Sequence, residues 1–439
     1  MEHAATAIAT YVAQNCTLGS KVLVVAGSGN NGADGIAVAR LLEGDFSVEL
    51  MLPYGVGSKL TELQFKRATA TRVEICSAVA SEYSVVVDAL FGSGLSRELD
   101  LDCVELIETL NSLDALKIAC DVPTGVNRDG LILSSCFKAD VTITMGALNR
   151  SLFSDMAKDM VGEIVVASLG VSRSKYEVES NWKLLDRSDL KLPYRDREDV
   201  HKGSFGHLGV VCSAAMSGAA IISAKSALKF GAGLVTLLSH EQIDKPYEIM
   251  CSYSLPPTLT AIAVGMGLGC EHSLLELGDM LSNTLPLLLD ADMFEHPMLL
   301  ELLKRKNVVI TPHPKEFVKI LKRSALAKID TDQLQKNRFF YVQLFSQKYP
   351  NITLLLKGAN VIIAQNDSYY INPHGTSVLA KGGSGDVLSG MIGALLAQGY
   401  SPLHSAIHGS LAHTQAALSY SANSFSLSPS NLIDALESI

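Results

Sequence analysis

The 439-residue chain has one tryptophan, no C-x-x-C pair, no basic run interleaved with aromatics and no apolar run of membrane-spanning length. Each gap excludes a class of protein. A spanning helix needs about 20 consecutive apolar residues, so no membrane partner is expected. The net charge of −9 argues against a nucleic-acid surface. Eight cysteines, Cys16, Cys76, Cys103, Cys120, Cys136, Cys212, Cys251 and Cys270, stand far apart. That spacing supports neither zinc ligation nor a disulfide framework, and it reads as free thiols in a reducing cytoplasm. The opening segment, MEHAATAIATYVAQ, has an early acid, no basic stretch and no sustained apolar core, so it is no secretion signal. No sequence repeat relates the two halves, and no segment is of low complexity.

What is present is a well-packed composition, 48% hydrophobic and 18% charged. The length suggests about two or three domains. An Ala-rich helix with Ile8, Tyr11 and Val12 on one side opens the chain. The stretch KVLVVAG (Lys21–Gly27) is a buried strand running into a glycine turn and a helix through Ile36, Ala39 and Leu42. Further strands follow at 47–52, 83–88, 115–121, 139–145 and 162–168, most of them separated by helical stretches. The rhythm stops between Val171 and Lys202, where charge rises; this segment reads as a linker. It restarts with strands at 207–213, 234–239, 261–267, 286–292, 307–313, 352–360 and 361–365. Such alternation implies parallel sheets covered by helices on both faces. We expect two α/β domains in tandem, residues 1–178 and 179–439.

The chain is organised around LAKGGSGDVLSG (Leu379–Gly390). Apolar residues at helical spacing follow at once, so Gly382, Gly383, Ser384 and Gly385 form a turn that opens a helix, with Asp386 in its first turn. Glycines let backbone N–H groups point into one concavity, and the helix dipole adds positive charge. An Asp there would repel a bound phosphate if it only sat beside it. It makes chemical sense as a base that strips a proton from an oxygen about to receive a phosphoryl group.

In the first half, GSGNNG follows a strand and precedes a helix, which alone is a weak dinucleotide fingerprint. The second strand ends in Leu50-Met51-Leu52-Pro53 where a ribose-binding acid belongs, and the turn carries Asp34 where a pyrophosphate would lie. Both count against an ordinary hydride enzyme. Two more strands end in acids, Asp88 and Asp121. Strand C-termini of a parallel sheet gather on one edge, so Asn31, Asp88, Asp121 and Thr124 are expected near one another. Their oxygens suit a hard cation such as potassium. The glycine turn Gly92–Gly94 can cradle a phosphate.

The stretches AGSGNNGADGIAVARLL, VDALFGSGLSREL and CDVPTGVN together resemble the N-terminal domain of the bifunctional NAD(P)H-hydrate repair enzymes, the YjeF-type family. HKGSFGHLGVV, TPHPKEF, LLLKGANVI and NPHGTSVLAKGGSGDVLSG resemble the family's other half, a relative of the ribokinase-type kinases. The resemblance implies a Rossmann-like doubly wound domain that epimerises hydrated NADH and NADPH at C6. It also implies a ribokinase-like domain that dehydrates the S form with ADP or ATP and magnesium.

By motif, Asn30, Asn31, Gly32, Ala33 and Asp34, the loop Gly92, Ser93, Gly94, Leu95, Ser96, Arg97 and Glu98, and Asp121 bind the hydrate. Asn31, Asp88 and Thr124 bind potassium, and either Asp88 or Asp121 is the acid–base carboxylate. In the second half Asp386 is the base, and Gly383, Ser384 and Gly385 stabilise the phosphoryl charge through their amides. Lys357, Gly358, Ala359, Asn360 and Val361 contact the nucleotide; His313, Ala220 and Gly267 serve the substrate. A homo-oligomer is implied as well. Three departures stand out: Ala33 for a usual glycine, Val361 for a hydroxyl residue, and His374 where small polar residues are common. The start of the chain matches the second part of the family's opening helical region.

Two other readings stand beside this one: a ribokinase-like small-molecule kinase with an accessory Rossmann-like domain, and a nucleotide-sensing scaffold without turnover. His404 and His408, at i, i+4, are read as packing.

Overall fold

A computed structural model describes residues 1–269, 277–278 and 281–439; Cys270 lies outside them, and the other seven cysteines are free. The chain divides into two compact units, Met1–Glu179 and Ser180–Ile439. Among the described residues, no helix is long and apolar enough to cross a membrane.

The first unit is a seven-stranded sheet of β1 (Lys21–Ala26), β2 (Ser47–Met51), β3 (Glu74–Cys76), β4 (Val85–Ala89), β5 (Leu116–Cys120), β6 (Val141–Met145) and β7 (Glu163–Ala167). Its order is β3-β2-β1-β4-β5-β6-β7 and every pair is parallel. The helices are α1 (Glu2–Asn15), α2 (Asn30–Leu42), α3 (Lys59–Ala70) and α4 (Leu101–Ser112). Side chains of a strand alternate between faces. Val22 and Val24 of β1 enter one core with α1 and α2, while Leu23 and Val25 enter another with α4. Both faces are covered, which is why KVLVVA is apolar without alternation. The chain reverses direction between β1 and β4, and that switch point opens a crevice at the strand C-termini.

The second unit's sheet has ten strands among the described residues: β8 (Trp182–Leu184), β9 (His207–Val211), β10 (Leu234–Leu238), β11 (Met250–Ser252), β12 (Ala261–Val264), β13 (Leu287–Leu289), β14 (Val308–Ile310), β15 (Ile352–Leu356), β16 (Val361–Gln365) and β17 (Ser368–Asn372). Their order is β11-β10-β9-β12-β13-β14-β15-β16-β17-β8. Its helices are α5 (Ser217–Lys229), α6 (Leu299–Leu302), α7 (Pro314–Arg323), α8 (Thr331–Lys336), α9 (Arg338–Lys348), α10 (Ser384–Ala397), α11 (Pro402–Leu418) and α12 (Pro429–Ala435).

Two expectations are corrected here. The sheet is not wholly parallel: β15, β16 and β17 form an antiparallel meander. The segment Val171–Lys202 is also more than a linker, because β8 adds a parallel edge strand beside β17. The physical reason is aromatic. Trp182 stacks on Tyr369 with ring centroids 4.6 Å apart and meets Phe339 edge-on at 5.1 Å. Three residues of strand carry too little pattern to be seen in a charged stretch.

Candidate active sites

In the first unit, β1, β4 and β5 are in register, with Val25 opposite Asp88 and Asp88 opposite Ala119. The residues just beyond these strand ends therefore share one edge. A cavity of about 710 Å³ opens there, lined by Asn30, Asn31, Asp34, Asp121 and the loop Gly92–Arg97. Gly32 and Ala33 are buried in the first turn of α2 rather than in that lining. The fit is tight: a Cβ on Gly32 would stand 1.7 Å from the Gly27 carbonyl oxygen. Glu98 is not among the lining residues.

The two acidic strand ends are unlike. Asp88 is fully buried. Its Oδ1 accepts the Thr124 hydroxyl at 2.7 Å and the Leu90 amide at 3.1 Å, and its Oδ2 accepts the Thr124 amide at 2.7 Å. Burial pushes its carboxyl up to about 6 against those hydrogen bonds. Asp121 instead lines the cavity and holds a left-handed backbone, φ 69°. Thr144 Oγ1 and the Met145 amide lie 3.4 Å from its Oδ1. A Cβ on Gly92 would sit 3.4 Å from both Asp121 Oδ2 and Asn31 Cγ, so these three groups meet at one wall. Asp34 is also pushed up to about 6, first by burial, with the Asp121 charge adding and the Met1 ammonium opposing. That ammonium is 3.8 Å away, beyond hydrogen bonding.

In the second unit, Leu289 of β13 pairs with Ile310 of β14, and Ile310 with Leu354 of β15. Asp290, His313 and Lys357 follow these strands on one edge. α10 packs against α5 and α11 and brings its N-terminus to that edge. The turn before it requires glycine at Gly383, whose φ is 88°. Of the three expected amides, Ser384 N–H is already spent on the Lys381 carbonyl at 3.2 Å, a correction that follows from the tight turn. The Gly383 and Gly385 amides, and that of Asp386 beside them, make no hydrogen bond among the described residues, as expected at the start of a helix.

Asp386 is pushed up to about 6, first by burial and then by the Asp290 charge; Lys357 opposes and Asp292 adds. Lys357 Nζ donates to Asp290 Oδ1 at 2.9 Å and Oδ2 at 3.1 Å, and lies 3.2 Å from where a Gly385 Cβ would stand. His313 caps α7, its Nδ1 accepting the Lys315 and Glu316 amides at 3.1 and 3.3 Å. Burial and the Lys357 charge lower its pKa, which keeps it neutral. Arg338 Nη2 donates to the carbonyls of Lys357 and Asn360, at 3.2 and 3.4 Å, and so pins the Lys357–Asn360 turn.

Asn360 and Val361 are buried, and Val361 belongs to the core. Ala220 is buried in α5. Gly267 packs its backbone on Met216, whose oxygen a Cβ would meet at 2.1 Å. His408 accepts the Lys191 amide on Nδ1 at 3.3 Å and stacks on His404.

Three residues escaped the sequence reading: Asp290, Ser389 and His413. Ser389 Oγ donates to Asp290 Oδ2 at 2.6 Å. The buried His413 Nε2 lies 3.0 Å from the Ser384 carbonyl oxygen. Ser389 stands three residues after Asp386, on the same helix face, and that spacing was the available signal. His413 left none, because it comes from another helix.

A doubly wound unit with an acid-lined cavity, joined to a unit whose helix N-terminus presents open amides beside a carboxylate and an ammonium, defines a two-domain nucleotide-handling α/β enzyme. A family model described as NAD(P)H-hydrate dehydratase matches residues 208–438, and one described as YjeF-related protein N-terminus matches residues 1–151. The bifunctional NAD(P)H-hydrate repair enzyme Nnr of Helicobacter pylori is 41% identical, covering 100% of this chain and 94% of that protein. Its namesake in Coxiella burnetii is 35% identical, covering 90% and 85%. A solved ADP/ATP-dependent NAD(P)H-hydrate dehydratase of Bacillus subtilis, co-crystallised with ATP/Mg2+, is 27% identical and covers 57% of this chain and 93% of its own, with a TM-score of 0.47. The chain belongs to the family of bifunctional NAD(P)H-hydrate repair enzymes.

Proposed function

We propose that the C-terminal unit, residues 180–439, is the dehydratase with Asp386 as its base, and that the N-terminal unit is the epimerase with Asp121 as its acid–base carboxylate. As a bifunctional NAD(P)H-hydrate repair enzyme, the protein interconverts the R and S hydrates and dehydrates the S form with ADP or ATP. Hydroxide is a poor leaving group, which is why a kinase-like site serves a lyase. Asp386 takes the proton of the C6 hydroxyl, whose oxygen attacks the terminal phosphorus. The bond to the bridging oxygen breaks, releasing AMP from ADP or ADP from ATP. Phosphate then leaves with the C6–O electron pair, and a proton lost from the neighbouring ring carbon restores the double bond.

The Gly383, Gly385 and Asp386 amides and the Lys357 ammonium face the migrating phosphoryl charge. Magnesium enters on the nucleotide phosphates, whose charge it offsets. The stretch Lys357–Val361 meets the nucleotide through its backbone, since the side chains of Asn360 and Val361 are buried. His313, neutral and half-exposed, orients the hydrated ring. The observation that carries this reading is the meeting of Asp386, the open amides of its glycine turn and Lys357 at one strand edge.

In the first unit the cavity supports binding of the hydrate by Asn30, Asn31, Asp34, the loop Gly92–Arg97 and Asp121. Asp121 is in that lining and Asp88 is sealed beneath it, which favours Asp121 for proton transfer. It protonates the departing C6 hydroxyl as water and takes the proton back when water adds on the other ring face. Asp88 fits a cation: it is buried with no positive side chain beside it among the described residues, the Thr124 hydroxyl is bonded to it, and Asn31 lines the cavity at the same edge. Potassium held there would fix the Asp88–Thr124 corner against the substrate's anionic groups. Cytoplasmic residence is supported by free cysteines, and a homo-oligomer by the family likeness.

The test follows both epimers of hydrated NADH with ADP and with ATP. Asp386→Asn should abolish dehydration and leave epimer exchange intact, with phosphate released stoichiometrically by the unsubstituted protein. Unchanged turnover would remove Asp386 from its role, and a stable phosphorylated product would favour the kinase reading. Asp121→Asn should stop epimer exchange, whereas Asp88→Ala should slow it and weaken its potassium dependence; equal rates in all three proteins would discard the first-unit assignment.

A further inference from the structure

Asp290 is buried at the end of β13, 2% exposed, and saturated with donors. Its Oδ1 accepts the Ala291 amide at 2.9 Å, its Oδ2 accepts the Ser389 hydroxyl at 2.6 Å, and both oxygens accept from Lys357 Nζ. Four hydrogen bonds from three donors on one carboxylate fix its plane. They also tie three elements together: the strand end of β13, the turn after β15 that carries Lys357, and the first turns of α10. Gly385, Asp386 and Ser389 all belong to those first turns, with Asp386 and Ser389 at i, i+3 on one face. A lysine side chain has four rotatable carbons and no fixed geometry of its own. Held by both Asp290 oxygens, its ammonium is parked beside Gly385, 3.2 Å from where a Cβ would stand.

We propose that Asp290 is a positioning residue of the dehydratase site, acting through Lys357 and Ser389 to set where the ammonium stands relative to the open amides and the base. The inference deepens the reading of Asp386 as the base and rests on it. Asp290 touches neither nucleotide nor hydrate. Its service is to pre-order one flexible cation and to lock α10 in register with the sheet, so that no reorganisation is needed when phosphoryl charge develops. Its own charge also faces Asp386. Groups facing Asp386 are Asp290, Lys357 and Asp292, with neutral His413 behind Ser384. Removing the Asp290 charge would make Asp386 easier to ionise, so the base would stay active at lower pH.

The experiment compares the full-length protein with Asp290→Asn, Ser389→Ala and Asp386→Asn. Asparagine keeps the shape of Asp290 but turns one accepting oxygen into an NH2 donor and removes the charge that holds Lys357. We expect its dehydration rate at the pH plateau to fall about 10-fold or more, while the KM for ADP changes less. The acidic limb of its rate profile should move down by at least about half a pH unit. Ser389→Ala, which removes one hydrogen bond to a buried carboxylate, should lower kcat about threefold or more and lower the melting temperature modestly, while leaving the KM for ADP unchanged. In the Asp290→Asn background it should add nothing further. An acidic limb in Asp290→Asn that coincides with the wild-type limb would overturn the proposal. If that variant fails to fold, an unchanged kcat in Ser389→Ala would overturn it. Should Asp386→Asn turn over like wild type, the base assignment falls and this inference with it. An inactive Asp386→Asn with an unmoved limb in Asp290→Asn would sink the positioning role alone.

Discussion

At the residue scale, titration and hydrogen bonding are arranged around one turn. Burial pushes the His413 imidazole down to about 4, against the hydrogen bond to Ser384. Its folded pKa lies below the unfolded value, so the neutral form is the folded form. The stability it contributes is present above about pH 6.5 and is lost as pH falls toward 4. The full difference is worth about 3 kcal/mol. The melting temperature of the wild-type protein should therefore drop between pH 6.5 and 4.5 by more than that of His413→Gln. Parallel curves would show that the imidazole does not titrate with unfolding.

Asp386 has the opposite logic for activity. If Asp386 is the base proposed above, a carboxyl pushed up to about 6 is half protonated there, and dehydration should decline below about pH 6, roughly tenfold per unit. A rate flat to pH 5 would mean that another group sets the limb. The residues involved were unequally legible. Asp386 stood out because a glycine turn and a helical period flank it. Asp290 did not, since an acid after an apolar strand is a common loop cap and its partners are 67 and 99 residues away.

At the scale of elements, the site depends on how closely α10 approaches α5. Gly390 makes that approach possible: a Cβ there would stand 2.1 Å from the Ser223 carbonyl oxygen, with the Ser226 side chain at 2.9 Å. Ser226 Oγ adds a hydrogen bond to the Val387 carbonyl at 2.7 Å. Gly390→Ala should force the helices apart and cost about 1–3 kcal/mol. For a unit of this size that is a fall of roughly 2–4 °C per kcal/mol, and dehydration should suffer more than epimerisation. Melting and both rates at wild-type values would show that the contact relaxes freely. The sequence displayed α10 as a helix through its apolar period. It did not show which helix the glycine faces, because close packing joins residues distant in the chain.

At the scale of the whole molecule, two sheets of different construction serve two sites. The first is wholly parallel, and its cavity lies at the reversal of strand order. The second ends in an antiparallel meander and recruits β8 from the segment between the two strand–helix series. Trp182 covers Tyr369, which is fully buried. A fragment of residues 180–439 should therefore melt cooperatively at higher temperature than one of residues 188–439, whose loss of β8 uncovers Tyr369. Equal melting of the two fragments would make β8 a passive edge.

Taken alone, the sequence determined the alternation of strands and helices, the two glycine turns and the acids at strand ends, because these follow from local periodicity and backbone chemistry. The tertiary structure alone decided that Asp88 is sealed while Asp121 meets the cavity, that Ser384 has no amide to give, and that Asp290 organises Lys357. Those outcomes depend on burial and on partners far apart in the chain, and neither leaves a local signature.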